Sequence, residues 1–157
     1  MIALKNCGRN PRVMVIAGGH WQIPIVSKAK QMGCYVINSN LYADSPAFAY
    51  ADVGLICNVL DKEKNLAFAK AEQVDAVVTD QSDIAVPTVA YVCEQLGLPS
   101  IGRQAAERFT NKHVMREYCQ RLGFPTPEFT LCRSKSEAHA FAAKVGYPFV
   151  LKPPSNQ

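Results

Sequence analysis

Val13-Met14-Val15-Ile16-Ala17-Gly18-Gly19-His20 is the stretch that decides the fold. Five apolar residues in succession, with no polar alternation, describe a strand buried on both faces, and such strands belong to parallel sheets covered on two sides. The glycine pair then turns the chain out of the sheet. Ile23, Ile25, Val26, Ala29 and Met32 follow at roughly helical spacing and stop at Gly33. Pro24 falls in the first turn of that helix, where no donor is lost.

Working outward, the same pattern recurs. Tyr35-Val36-Ile37 is a strand and Leu55-Ile56 lies in a third; Leu66, Phe68, Ala69 and Ala71 mark a helix, and Ala76-Val77-Val78-Thr79 a fourth strand. Residues 84–96 read as a helix ended by Gly97, and Ser100-Ile101-Gly102 as a short fifth strand. Pro87 is expected to remove a hydrogen bond from its helix and bend it. Alternating strands and helices give an α/β fold, a Rossmann-like doubly wound parallel sheet over residues 12–104. Residues 1–11, with Gly8, Asn10 and Pro11, are a loose lead-in. A short helical segment at 103–110 carries the boundary. Residues 105–157 then read helix from Asn111, strand 129–132, helix 138–145 and strand 149–152, an incomplete α+β segment too small for an independent core.

Composition narrows the function classes. Of the 157 residues, 48% are hydrophobic, as expected of a soluble globular core. No apolar run reaches the ~20 residues of a membrane span. The opening Met1-Ile2-Ala3-Leu4-Lys5-Asn6 has neither a long apolar stretch nor a small-residue cleavage site, which argues against a secretory signal. The six cysteines include no Cys-x-x-Cys pair, which argues against a zinc site and for free thiols in a reducing, cytoplasmic compartment. Cys57 and Cys93 lie in apolar segments and read as small core residues. Residues 1–102 hold eight Lys and Arg against nine Asp and Glu, a net of −1; residues 103–157 hold nine against four, a net of +5. A basic C-terminal third suits an anionic ligand such as a nucleotide. With no basic run and no recognisable motif, a nucleic-acid partner is not expected.

Three groups of residues stand where chemistry is expected. Gly18-Gly19-His20-Trp21 follows the first strand, the edge where doubly wound folds bind ligands. The Gly-x-Gly-x-x-Gly fingerprint is incomplete and Asn38 stands where an acidic residue would end the second strand, so a nicotinamide dinucleotide is disfavoured. A tight turn with glycines for steric reasons alone is the competing reading. Thr79-Asp80-Gln81-Ser82-Asp83 follows the fourth strand; Ser82 or Asp83 is expected to cap the next helix, and the remaining polar side chains exceed what a cap needs. Lys152 ends an apolar strand before two prolines and calls for an anionic partner. Lys112, in the first turn of a helix, reads on its own as solvated.

Asn111-Lys112, Gly123-Phe124-Pro125-Thr126-Pro127, Gly146-Tyr147-Pro148 and Val150-Leu151-Lys152-Pro153, taken as a spaced set, resemble the start of an ATP-grasp domain. That superfamily includes biotin carboxylase, the carbamoyl-phosphate synthase large chain and many carboxylate–amine ligases. Residues 13–102 look like the pre-ATP-grasp domain that comes before it. The resemblance implies ATP and Mg²⁺, with Lys112 and Lys152 on the ATP phosphates. It also implies a small-molecule carboxylate substrate, amino acids included, near Gly18, Gly19, His20, Trp21, Asp80, Gln81, Ser82 and Asp83. The glycine-rich loop, adenine pocket and Mg²⁺ ligands of the family are missing from this sequence. The chain is therefore expected to be a truncated N-terminal part of a ligase, inactive alone. The alternative is a stand-alone Rossmann-like domain that binds a small ligand or a second copy of itself, with the tail as a dimerisation arm.

Overall fold

The computed structural model describes residues 8–155, so residues 1–7 of the lead-in, Cys7 among them, and Asn156 and Gln157 lie outside the described residues. Strands β1 (Arg12–Ile16), β2 (Tyr35–Asn40), β3 (Val53–Ile56) and β4 (Ala76–Val78) form one parallel sheet in the order β3-β2-β1-β4. The chain steps outward from β1 through β2 to β3, then returns to the other side of β1 as β4. Strand order thus reverses between β1 and β4, and the loops leaving their carboxyl ends face the crevice such a reversal opens.

Alternation along the strands sorts the core into two faces. Met14, Ile16, Ile37 and Val77 pack with Leu66 and Ala69 of α2 (Lys62–Ala71) and with Val92 and Cys93 of α3 (Val86–Leu96). Val15 and Val36 point the other way and pack with Ala47 and with Val26 of α1 (Ile23–Gln31). Met14, Ile16 and Ile37 are fully buried, each contributing about 1.5–3 kcal/mol of transfer free energy. This is the doubly wound sheet that the sequence implies. Cys57 and Cys93 are buried as expected, and burial pushes both thiols up from their ordinary pKa.

Two local expectations are corrected. Ser100-Ile101-Gly102 forms no strand; Ile101 is exposed and finds no ladder partner among the described residues. Pro87 costs α3 no hydrogen bond, because a 3-10 turn at Asp83–Ala85 precedes the helix and leaves Pro87 in its first turn. Gly97 then closes α3 in the left-handed conformation, at φ 66°.

The chain divides into two compact units between Ala106 and Glu107, inside α4 (Arg103–Thr110). The second unit holds α5 (Lys112–Arg121) and α6 (Lys135–Val145), each with a side-chain cap. Asn111 Oδ1 accepts from the backbone of His113 and Val114 at 3.0 and 3.2 Å, and Ser134 Oγ from Glu137 at 3.2 Å. The strands expected at 129–132 and 149–152 are not formed. Both segments lack a neighbouring strand among the described residues, Pro148, Pro153 and Pro154 remove donors, and Val150 and Leu151 remain exposed. One antiparallel bridge, Asn111 to Ser155, is made instead. No helix among the described residues is long and apolar enough to cross a membrane.

Candidate functional site

The two loops at the carboxyl edge of the sheet are laced together by side chains that reach across the crevice. Thr79 Oγ1 donates to the carbonyl of Ile16 at 2.7 Å. Gln22, almost fully buried, accepts from the Gly19 N–H through Oε1 at 2.9 Å and donates through Nε2 to the carbonyl of Asp80. The Gly18-Gly19 turn and Asp80 are thereby joined through one side chain. Steric demand explains one glycine: a Cβ at Gly18 would lie 2.5 Å from Asn38 Oδ1 and 2.9 Å from Asn40 Cβ.

The other residues of these loops face outward. His20 is exposed, and so is Trp21, at 75% of its surface. Gln81, in the left-handed region at φ 54°, lines a shallow hollow of about 340 Å³ with Ser82, Asp83 and Ile84. Ser82 stands at the start of the 3-10 turn, yet makes no side-chain cap; a backbone bond from Ala85 to the Ser82 carbonyl, 3.0 Å, does that work. The capping role expected of Ser82 or Asp83 is thus corrected: α3 begins after Ala85 with no side-chain cap, and the Ser82 hydroxyl is not committed to one. The edge offers hydroxyl, amide and carboxylate groups suited to holding a small polar molecule.

In the second unit, Lys112 and Lys152 line one cleft of about 560 Å³. Lys112 occupies the first position of α5, where the Asn111 cap fixes its backbone. Lys152 sits on the extended segment that returns to the same helix end, clipped there by a 2.7 Å bond from Lys112 N–H to the Pro154 carbonyl. His113 and Arg116 add further nitrogen donors, with Arg116 one helical turn beyond Lys112. Phe129, Phe141 and Phe149 supply apolar wall, and the Phe141 and Phe149 rings meet edge to face at 6.3 Å. His113 Nε2 lies 3.3 Å from Glu117 Oε1. Lysine and arginine side chains lining the same cleft as an apolar wall fit a polyanion with a flat ring, such as a nucleotide. Among the described residues no group of three or more His, Cys, Asp or Glu is placed to hold a metal, so no Mg²⁺ ligand is assigned here.

Sequence reasoning passed over Gln22, His113 and Arg116, and read Asn38 only as a missing carboxylate. His113 and Arg116 carried a signal, since both follow Lys112 within one turn of a capped helix. Gln22 carried none: its partner Asp80 is distant in sequence and only the fold joins them.

No family model matches the chain. It is 29% identical over 144 residues to a formate-dependent phosphoribosylglycinamide formyltransferase of Synechococcus sp. (strain WH7803), a match that spans 90% of this chain and 37% of that protein. The chain therefore spans little more than a third of the length of such relatives. Among solved structures, N5-carboxyaminoimidazole ribonucleotide synthetase from Thermotoga maritima aligns with a TM-score of 0.70 at 25% identity, over 88% of this chain and 37% of that one. The ADP complex of another N5-carboxyaminoimidazole ribonucleotide synthetase aligns with a TM-score of 0.79 at 20% identity, over 95% and 39%, a likeness of fold. The homologues of this chain are ATP-grasp carboxylate–amine ligases, and it matches their N-terminal part.

Proposed function

We propose that the whole protein is an ATP-dependent ligase that activates a carboxylate as an acylphosphate for attack by an amine or similar nucleophile. Residues 12–104 serve as its pre-ATP-grasp domain, and residues from 105 onward begin the ATP-grasp domain. ATP supplies the transferable γ-phosphoryl, and Mg²⁺ offsets its charge. Lys112 and Lys152 hold the phosphates, and their ammonium groups stabilise the charge that shifts as the phosphoryl moves. Arg116 widens the same cationic surface, and His113 adds a ring nitrogen beside it. At the sheet edge, Gly18, Gly19, His20, Trp21, Asp80, Gln81, Ser82 and Asp83 front the small-molecule substrate. The Synechococcus relative's name carries formate, a one-carbon carboxylate, and phosphoribosylglycinamide, an amine, which is the pairing of groups this chemistry joins.

One observation carries the reading: two lysines forty positions apart in sequence line a single cleft. The test is calorimetric titration of Mg-ATP into the whole protein, followed by a search for phosphate release that depends on an added carboxylate. Saturable nucleotide binding with carboxylate-dependent release supports the ligase. Absence of nucleotide binding sinks it and leaves the Rossmann-like unit as a ligand-binding or interaction module.

A further inference from the structure

We infer that Asn38 is a positioning residue for the Ala17-Gly18-Gly19 turn: its carboxamide sets the path by which the backbone leaves β1. Its functional weight rests on reading that turn as the front of the substrate site, whereas the geometry stands without any ligand.

Asn38 is fully buried on β2, in register with Val15 of β1. Its Nδ2 donates both hydrogens to the neighbouring strand's exit, to the Val15 carbonyl at 3.0 Å and the Ala17 carbonyl at 2.7 Å. Ala17 stands in the left-handed region at φ 82°, where a residue with a Cβ is disfavoured. The ladder alone does not hold it there. Ala17 N–H still donates to the Ser39 carbonyl at 2.9 Å, so the chain leaves the sheet only after this residue, and the Asn38 amide secures the carbonyl on the departing side.

The other end of the carboxamide acts by exclusion. Oδ1 is buried without a hydrogen-bond partner and faces Gly18 so closely that a Cβ there would lie 2.5 Å away. Leaving a buried acceptor unpaired is unfavourable. It follows from aiming both donors at the turn. One side chain therefore pins Ala17 and, together with Asn40 Cβ at 2.9 Å, leaves room only for glycine at position 18. An aspartate here would have no N–H for the two carbonyls and would set a negative charge against them. A leucine would fill the space and hold nothing.

The test compares Asn38→Ala with Val36→Ala, which removes core volume from the same strand without touching the turn. Amide hydrogen exchange is read at Gly19, whose N–H bonds Gln22, and at Val13 to Val15 of β1, after matching global stability with denaturant. We expect exchange at Gly19 to be at least ~10-fold faster in Asn38→Ala than in Val36→Ala, with equal protection along β1. A double-mutant cycle gives the second arm. Gly18→Ala should lower Tm less in an Asn38→Ser background than in the natural chain, because the facing oxygen has withdrawn. Equal Gly19 exchange in the two variants, or additive losses in the cycle, overturns the inference. So does failure of both Asn38 variants to fold while Val36→Ala folds, since Asn38 would then be a determinant of the whole sheet. Loss of the substrate-site reading would leave these exchange rates unchanged, so the two ideas fail separately.

Discussion

The backbone N–H of Lys112 donates to the carbonyl of Pro154 at 2.7 Å. This bond joins the first residue of α5 to the extended segment two positions beyond Lys152, and the Asn111–Ser155 bridge repeats the junction one residue outward on each side. Two lysines separated by a helix, a long connection and another helix are thereby held on the wall of one cleft.

If both ammonium groups hold phosphate oxygens, Lys112→Ala and Lys152→Ala in the whole protein should each weaken Mg-ATP binding by about tenfold or more. A hydrogen bond to a charged group contributes ~1.5–3 kcal/mol, and ~1.4 kcal/mol is one decade. Calorimetry measures it. Unchanged affinity in either variant removes that lysine from the site.

Asn111→Ala removes the acceptor for two otherwise unpaired N–H groups at the start of α5. The expected cost is about 1 kcal/mol of stability in urea titration. Asn111→Asp, which keeps the acceptor, should restore it. Because the cap also orients Lys112, nucleotide affinity should fall in the alanine variant and recover in the aspartate one.

Gly54 lies on β3 directly against the Phe48 ring, where a Cβ would come within 2.7 Å of a ring carbon. Gly54→Ala should destabilise the protein by about 1–3 kcal/mol through overpacking. Thermal unfolding of Gly54→Ala beside Gly54→Ala/Phe48→Leu checks the cause: the smaller side chain should relieve part of the loss.

Burial pushes the Asp52 carboxyl up, but the Lys30 ammonium and the Val36 N–H outweigh it and leave its pKa below the usual value. A carboxylate with a depressed pKa stabilises the fold at pH values above its unfolded pKa, and that contribution is lost as pH falls through the lower folded value. The stability gap between the natural chain and Asp52→Asn should therefore be constant near neutrality and close below about pH 4. A gap that widens on acidification would reverse the assignment.

Cys57 and Cys93 are buried, with their thiols pushed up by that burial, whereas Cys119 and Cys132 are half-buried. A thiol-disulfide reagent at mild alkaline pH should label Cys119 and Cys132 in the native protein and reach Cys57 and Cys93 only in denaturant. Mass spectrometry of the labelled peptides decides it.

The doubly wound sheet could be read from the chain because its strands carry their own signal: Met14, Ile16, Ile37 and Val77 are apolar wherever they point. The segment at 100–102 misled because three residues bounded by glycine look like a strand whether or not a neighbour pairs with them. Residues 129–132 and 149–152 misled likewise, since β-propensity describes a residue and a ladder requires a partner. At the site, Gly18-Gly19 and the run from Thr79 to Asp83 stood out by position after a strand. Gln22 and Asn38 act through carbonyls that only tertiary folding brings near, so their roles were not visible in sequence. The cap expected of Ser82 or Asp83 failed for a local reason, because a 3-10 turn satisfied the Ala85 N–H from backbone alone.

Gln22 holds Gly19 with one end of its amide and Asp80 with the other. The loops after β1 and β4 consequently form a single inherited part. Grafting either one from a relative would leave half of that amide without its counterpart, so a specificity swap between homologues must carry both loops and the glutamine as one cassette.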